Sequence, residues 1–342
     1  MISELNQRSH RLVHVKRALI TGVLGQDGRY LAEYLHLLNY EIHGITKSLN
    51  SRAFLDLQSK VPNVVIHQLD ISNTDRVAEL VRLIEPDEIY NLAGFSSVQK
   101  SWKFPEQAKL INEVAFSGIL DCVKEISHKE KSKEIKIYQA SSSELFGLSK
   151  ISPQNEDTPY NPSSPYGFSK LAAHEAALEA RIEHGLFVST GILYNHESPY
   201  RSQEFVSRKI SMAVARISRG EDVSLKLGDI QGRRDWGFAG DYVIAMWKML
   251  QLEVPETFVI STGVSTSVRD LIDIAFHHIG VEDWSRHVVH DSLENRPIDP
   301  VNLVGDSSKA KLTLGWNAQT PIEEVMRVMV DADIKLLNTE IA

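Results

Sequence analysis

Four side chains in one stretch of the chain can do proton-transfer chemistry together. Tyr166 and Lys170 lie four residues apart in Pro165-Tyr166-Gly167-Phe168-Ser169-Lys170, a spacing that puts both on one face of a helix. Ser142 and Glu144 follow Ile137-Tyr138-Gln139-Ala140, which reads as the end of an apolar strand, and open α/β sheets bind ligands off the carboxyl ends of their strands. A phenol, an ammonium, a hydroxyl and a carboxylate can therefore meet at one point. Each also has a plainer explanation: Tyr and Lys at this spacing are common on helices, and serines after a strand usually form turns. The set gains meaning from what precedes it.

Arg17-Ala18-Leu19-Ile20-Thr21 predicts a short strand, followed at once by Gly22-x-x-Gly25-x-x-Gly28 and a helix from Tyr30 to Leu38. Glycines between a strand and a helix allow a tight turn and close approach of the backbone to a pyrophosphate, which the helix N-terminus then attracts. A dinucleotide site is expected here. The second strand, Glu41 to Ile45, ends in Thr46-Lys47-Ser48 with no acid to take a ribose hydroxyl. Lys47, Ser48 and Arg52 can instead meet a 2′-phosphate, which favours NADP, with NAD as the alternative. Val64 to Asp70 is the third strand, and Asp70 is placed to reach the adenine. A helix from Asp75 to Ile84, a fourth strand from Glu88 to Gly94, a helix from about Gln107 to Ile126 and a sixth strand from Leu186 to Leu193 complete the alternation. The fold class is α/β: a Rossmann-type doubly wound parallel sheet. The expected cofactor residues are Thr21, Gly22, Gly25, Gln26, Asp27, Gly28, Lys47, Arg52, Asp70, Ile71, Leu92 and Ala93, together with Tyr166 and Lys170.

Past Leu193 the texture changes. Tyr194 to Pro199 reads as a polar loop and Gly232 to Gly237 as a second polar cluster. Phe205 to Ile210 opens a helix. Tyr242 to Leu252 and Phe258 to Ser261 read as a helix and strand returning to the first sheet. Ser265-Thr266-Ser267 reads as the start of a helix that stops near Gly280, and Glu294 to Asp299 as a loop. Thr320, Pro321 and Glu323 suggest a capping box for the last helix. The expected layout is a tail or arm over 1–14 and a dinucleotide-binding domain over 15–193, to which 237–262 returns. Residues 194–236 and 263–342 then form a smaller, discontinuous, mixed α/β substrate domain. Arg201, Arg234 and Arg296 in its loops suit an anionic substrate, because Arg grips phosphate bidentately.

Composition narrows the classes further. The chain has 342 residues, 42% of them apolar and 24% charged, and a net charge of −8. That balance argues against a general nucleic-acid binder. One cysteine, Cys122, leaves no internal disulfide framework and suits a reducing compartment; its apolar surroundings predict a small buried residue. No run is apolar enough to span a bilayer, and Met1 to His14 lacks the core of a secretory signal, so a cytoplasmic, membrane-free protein is expected. No metal-ligand spacing is present.

The glycine motif with Tyr166-x-x-x-Lys170 resembles the extended short-chain dehydrogenase/reductase superfamily and, within it, the GDP-mannose 4,6-dehydratase family. The likeness runs through Gly25-Gln26-Asp27-Gly28, Tyr138-Gln139-Ala140-Ser141, Ser143-Glu144-Leu145, Ser164-Pro165-Tyr166-Gly167 and Gly191-Ile192-Leu193. It continues in Asn195-His196-Glu197-Ser198-Pro199, Arg234-Asp235-Trp236-Gly237, Arg296-Pro297 and Leu314-Gly315-Trp316, and covers nearly everything from Arg17 to about Ala332. The Asn-His-Glu-Ser-Pro segment is far more specific than the glycine turn.

The resemblance implies a GDP-sugar substrate and a reaction. Tyr166 as phenolate takes the 4-hydroxyl proton, Lys170 lowers the phenol pKa and holds the nicotinamide ribose, and hydride passes to NADP. Glu144 removes the carbon-5 proton and protonates the leaving 6-hydroxyl, hydride returns to carbon 6, and Ser142 hydrogen-bonds the 4-oxygen. It also implies substrate contacts from Ser97, Ser142, Asn195, Val206, Lys209, Arg201, Arg234, Arg296 and Asp299, and a homo-oligomer, dimer or tetramer. A GDP-sugar reductase or epimerase needs Tyr166 and Lys170 but not Glu144. Three departures stand out: Ser142 where the family has Thr, Ser163 where an Arg is common, and Thr46 to Arg52 without consecutive arginines. They leave a related GDP-hexose or GDP-heptose open.

Overall fold

Ala18, Leu19 and Ile20 alternate between two apolar layers, and the rest of the first sheet follows the same plan. The computed structural model describes residues 15–49, 52–129, 133–294, 297–298 and 302–339; the predicted arm over 1–14 lies outside them. In chain order the first half runs β1 (Arg17–Thr21), α1 (Gln26–Leu37), β2 (Glu41–Thr46), α2 (Arg52–Lys60), β3 (Val65–Gln68), α3 (Thr74–Ile84) and β4 (Glu88–Asn91). Then come α4 (Val98–Ser101), α5 (Pro105–Lys109), a π-turn (Leu110–Val114), α6 (Ala115–Lys129), β5 (Lys136–Ala140), α7 (Pro165–His184) and β6 (Val188–Leu193). The second half runs β7 (Asn195–Glu197), α8 (Val206–Ser218), β8 (Leu225–Leu227), β9 (Arg233–Phe238), α9 (Ala239–Leu250) and β10 (Thr257–Ile260). It ends with β11 (Ser265–Ser267), α10 (Val268–His278), β12 (Val288–His290), β13 (Asn302–Leu303), α11 (Ser308–Leu314) and α12 (Ile322–Thr339).

Seven strands, among the described residues, form one parallel sheet in the order β10-β6-β5-β4-β1-β2-β3. The order reverses at β1, between β4 and β2, and that switch point opens a crevice at the carboxyl edge. Ile20, Tyr90 and Tyr138 pack on one face with Leu31, Leu35, Met246 and Met249 of α1 and α9. Leu19, Ile89, Ile137 and Val188 pack on the other with Phe116, Ile119, Val123, Ala173 and Ala177 of α6 and α7. Both faces are covered, as parallel sheets require.

The helix expected from Gln107 to Ile126 is present but contains the π-turn Leu110–Val114. The turn swings Asn112 inward, where it is buried. Cys122 is buried, as its neighbours predict.

The second unit differs more from expectation. Both predicted polar stretches contain strand: β7 lies within 194–199, and β9 covers 233–237 and runs on to Phe238. β9 is the spine of a four-stranded sheet, flanked by β11, β13 and β7. It stays ordered because buried Asp235 accepts the Thr262, Gly263 and Gly305 N–H groups. Ser265–Ser267 is also a strand, and Ser267 ends it by capping α10 in a capping box with Asp270. The last helix starts without the box predicted for Thr320, whose N–H goes to Asp241 instead of Glu323. The unit's core joins Ile210, Val214, Trp236, Phe276, Met326 and Met329.

Candidate active site

The glycine turn is built for close backbone contact. Gly22 has φ +68°, and a Cβ there would lie 2.8 Å from Ala93 Cα; one on Gly28 would lie 2.5 Å from the Gly22 carbonyl oxygen. Only glycine fits such positions without displacing backbone. Thr21 Oγ1 donates to Asn91 Oδ1 (2.8 Å) and accepts the Leu92 and Ala93 N–H groups (3.0 Å each). Its hydroxyl therefore pins the β1 and β4 ends together beneath the floor of the crevice.

Above this floor lies a cavity of about 760 Å³. Gly22, Gly25, Asp27, Lys47, Asp70, Ile71, Leu92 and Ala93 line it from the strand ends. Ser97, Ser142, Glu144, Tyr166 and Lys170 line it from β5, α4 and α7, and Asn195, Arg201, Val206, Lys209 and Arg234 from the second unit. Most of the side chains predicted from sequence thus face one space. Thr21, Gln26, Gly28 and Arg52 do not line it. Arg52 opens α2 and reaches Thr339 Oγ1 at 3.4 Å. Arg296 and Asp299 lie outside the described residues.

Local sequence sets the reaction corner. Ser164 Oγ caps α7 by accepting the Gly167 N–H, and Pro165 starts the helix. Tyr166 and Lys170 then fall on the buried side, at 8% and 9% exposure. Tyr166 N–H donates to Ser101 Oγ (3.1 Å), and Lys170 Nζ donates to the Ala140 carbonyl (2.7 Å). Burial pushes the Lys170 ammonium down to about 8, against the opposing pull of the Asp27 carboxylate. Ser142 Oγ caps the short turn Ser143–Leu145 by accepting the Glu144 N–H at 3.2 Å, which turns both residues toward the cavity.

Asn112, which sequence reasoning missed, braces this corner. Its Nδ2 donates to Ser169 Oγ (2.9 Å) and to the Phe95 carbonyl, and its Oδ1 accepts the Phe95 N–H (2.8 Å). A π-turn carries no motif, so nothing local announces it.

In the second unit the expected anion-binding cations already have partners. Lys209 Nζ is 2.6 Å from Glu294 Oε2. Arg201 Nε is 3.1 Å from the buried Glu197 carboxylate and its guanidinium lies 3.7 Å over the Phe205 ring. Arg234 donates to the Arg233 carbonyl. Lys47 pairs with Asp70 at 2.9 Å. Among the described residues no group of three or more His, Cys, Asp or Glu is placed to hold a metal, and no helix is long and apolar enough to cross a membrane.

Residues 19–329 match the family described as GDP-mannose 4,6 dehydratase. The chain belongs to this family. A relative named GDP-mannose 4,6 dehydratase 1 from Arabidopsis thaliana is 42% identical over 334 residues, covering 95% of this chain and 91% of that one. Relatives from Homo sapiens and Vibrio cholerae, both named GDP-mannose 4,6-dehydratase, are 39% and 35% identical, and the match covers 94% of this chain in each case and 92% and 94% of theirs. Among solved structures, a UDP-glucose 4-epimerase from Thermotoga maritima with UDP-glucose superposes at TM-score 0.82 and 22% identity, covering 94% and 99% of the two chains. A dTDP-glucose 4,6-dehydratase from Bacillus anthracis in complex with NAD gives TM-score 0.78 at 22% identity, covering 94% and 97%. These structures share the fold.

In Gly25-Gln26-Asp27-Gly28, the two central side chains reach the second unit, Asp27 while also lining the cavity. Gln26 Nε2 donates to the His196 carbonyl (2.9 Å), and both Asp27 oxygens lie 3.0 Å from His196 Nε2. The physical reason is direction: the backbone of the turn faces the crevice, and side chains on the first turn of α1 project toward β7.

Proposed function

We propose that this chain dehydrates GDP-mannose to GDP-4-keto-6-deoxymannose with a resident NADP. One observation carries the reading: a buried carboxylate, Glu144, shares the cavity with the Tyr166 and Lys170 pair. Oxidation alone needs the phenol and the ammonium; elimination of water also needs a base for carbon 5.

The residues present fit the cofactor, because the glycines let the turn fold tightly against Ala93 and Val23 and bring the backbone of Gly22 and Gly25 to the cavity wall. Gly22, Gly25, Ala93 and Lys170 would hold it, and Lys47, which lines the cavity, is the cation for a 2′-phosphate; Arg52 would have to leave Thr339 to join it. Bound there, NADP supplies a reversible hydride acceptor. Tyr166 takes the 4-hydroxyl proton, assisted by the Lys170 charge, and Ser142 donates to the 4-oxygen. Once carbon 4 is a ketone the carbon-5 proton is acidic; Glu144 removes it and delivers a proton to the departing 6-hydroxyl. Asn195, Val206, Lys209, Arg201 and Arg234 bind the GDP portion, with Arg296 and Asp299 assigned to the same task. Ser97 contacts the sugar. The same reading makes the protein a cytoplasmic homo-oligomer, dimer or tetramer, to be checked by light scattering and by fractionation.

The test is mass spectrometry of nucleotide-sugar products. Loss of one water from GDP-mannose, with no accumulating NADPH, is expected. Unchanged GDP-mannose would overturn that substrate and shift the panel to the related GDP-hexoses and GDP-heptoses that Ser142 and Ser163 leave open. NADPH accumulating without water loss would overturn the dehydratase in favour of a GDP-sugar reductase.

A further inference from the structure

The segment His196 to Tyr200 grips α1 with every second residue. The His196 carbonyl and the Ser198 hydroxyl share the Gln26 amide, accepting from Nε2 (2.9 Å) and donating to Oε1 (2.9 Å). The His196 ring meets Asp27 at Nε2 and the Tyr194 carbonyl at Nδ1 (2.7 Å), so both nitrogens face oxygens; burial works against its charged form, but the Asp27 carboxylate outweighs it and raises the imidazole's pKa. It stacks on Tyr242 at 4.7 Å. Tyr200 lies under the Arg29 guanidinium (3.3 Å) and beside the Tyr30 ring (4.9 Å), and its hydroxyl donates to Glu33 Oε1 (3.2 Å). Residues 196, 198 and 200 thus face α1, while Asn195, Glu197 and Arg201 line the cavity. Over Asn195–Glu197 this is the period-two alternation of a strand, and the turn that follows, closed by the Arg201 N–H donating to the Ser198 carbonyl, carries it on to Tyr200 and Arg201. His196 borders both.

β7 is three residues long and, among the described residues, pairs only with β9 along Asn195–Glu197. So short a strand does not hold its own position. We propose that Gln26 and Asp27 are positioning residues for the nucleotide-sugar half of the site. They fix the back of the 195–201 segment, so that Asn195 and Arg201 are presented to the GDP portion of the substrate. This inference rests on the GDP-sugar reading above. It gives the first turn of α1 two duties: its backbone forms the cofactor cradle and its side chains hold the substrate strand. Tyr166, Lys170, Ser142 and Glu144 stand on other elements, so loss of the Gln26–Ser198 part of the grip acts on substrate binding and not on the chemical step.

The experiment uses the full chain saturated with NADP. GDP binding is measured by calorimetry, and kcat and KM with GDP-mannose. Gln26→Ala and Ser198→Ala should each weaken GDP binding and raise KM about tenfold, the effect of stranding buried polar partners, with kcat within about threefold. The double variant should match the worse single one, since both act through one amide. Ser198→Thr, which keeps the hydroxyl, should restore wild-type affinity. Single variants that bind GDP within twofold of wild type, additive effects in the double, or lost kcat at unchanged KM would each overturn the inference. If Gln26→Ala does not fold, Ser198→Ala against Ser198→Thr decides it alone. Wild-type protein that binds no GDP would instead overturn the proposed function, and this inference with it.

Discussion

The two halves of the cavity handle charge in opposite ways. In the reaction corner, Lys170 is taken out of water and bonded to a carbonyl, and its ammonium is tuned downward by burial. In the nucleotide-sugar half, Lys209 and Arg201 each sit against a carboxylate, Glu294 and Glu197, and Glu204 of the cavity wall pairs with Lys100 of α4. The first arrangement sets reactivity and keeps little to rearrange. The second keeps its cations ordered against carboxylates, and on the proposed GDP-sugar reading it gives them up by exchange, an arriving diphosphate replacing a carboxylate. That reading draws catalytic tuning from desolvation and anion binding from interchangeable ion pairs.

The contrast is tested most severely by removing the reacting groups. Glu144→Gln and Tyr166→Phe should each lower kcat by about 10³-fold, within the range for a positioned acid or base, with GDP affinity within about twofold. Retained dehydration in Glu144→Gln would show that the carbon-5 base lies elsewhere. On the other side, Lys209→Ala should raise KM for GDP-mannose about tenfold, as expected for a lost charge-assisted contact, and leave kcat near wild type. A kcat loss would mean that the halves are not separable.

The pH profile sharpens the comparison at one residue. Lys170 assists Tyr166 only while charged, and burial holds its ammonium near about 8. Turnover should therefore fall on the alkaline side as pH rises through that value. Asp27 opposes the depression, so Asp27→Asn should move the alkaline limb to lower pH. A limb that did not move would show that the Asp27 charge does not reach the reaction corner. The smallest expected effect is the most particular to the exchange idea. Glu294→Gln should lower KM about threefold, because Lys209 no longer has to leave a carboxylate. A raised KM would mean that Glu294 helps to hold the substrate.

How much of this was legible depended on sequence distance. Tyr166 and Lys170 could be read directly, since their face is fixed by four residues of helix and by Ser164 and Pro165 beside them. The glycine turn and the alternation of strand and helix were equally local. The partners of Lys209 and Arg201 were not, because Glu294 is 85 residues from Lys209 and the Arg201 pair depends on where β7 sits. β7 and β9 read as polar loops because their polar residues are satisfied across the sheet, as Asp235 is by Thr262, Gly263 and Gly305. The contacts of Gln26 and Asp27 with His196 were hidden for a related reason: the motif describes the backbone of the turn, while their side chains also meet a strand about 170 residues away in sequence.

The π-turn at Leu110–Val114 has a further consequence. It makes α5 and α6 two phases of a single rod, separated by one inserted residue. Each residue turns an α-helix by about 100°, so excising any one residue of the turn would straighten the rod and rotate one phase against the other. Asn112 would lose Ser169 and Phe95, or Phe116, Ile119 and Val123 would leave the sheet. The length of this segment is constrained as tightly as its chemistry. A version one residue shorter would have to find another brace for the helix that carries Tyr166.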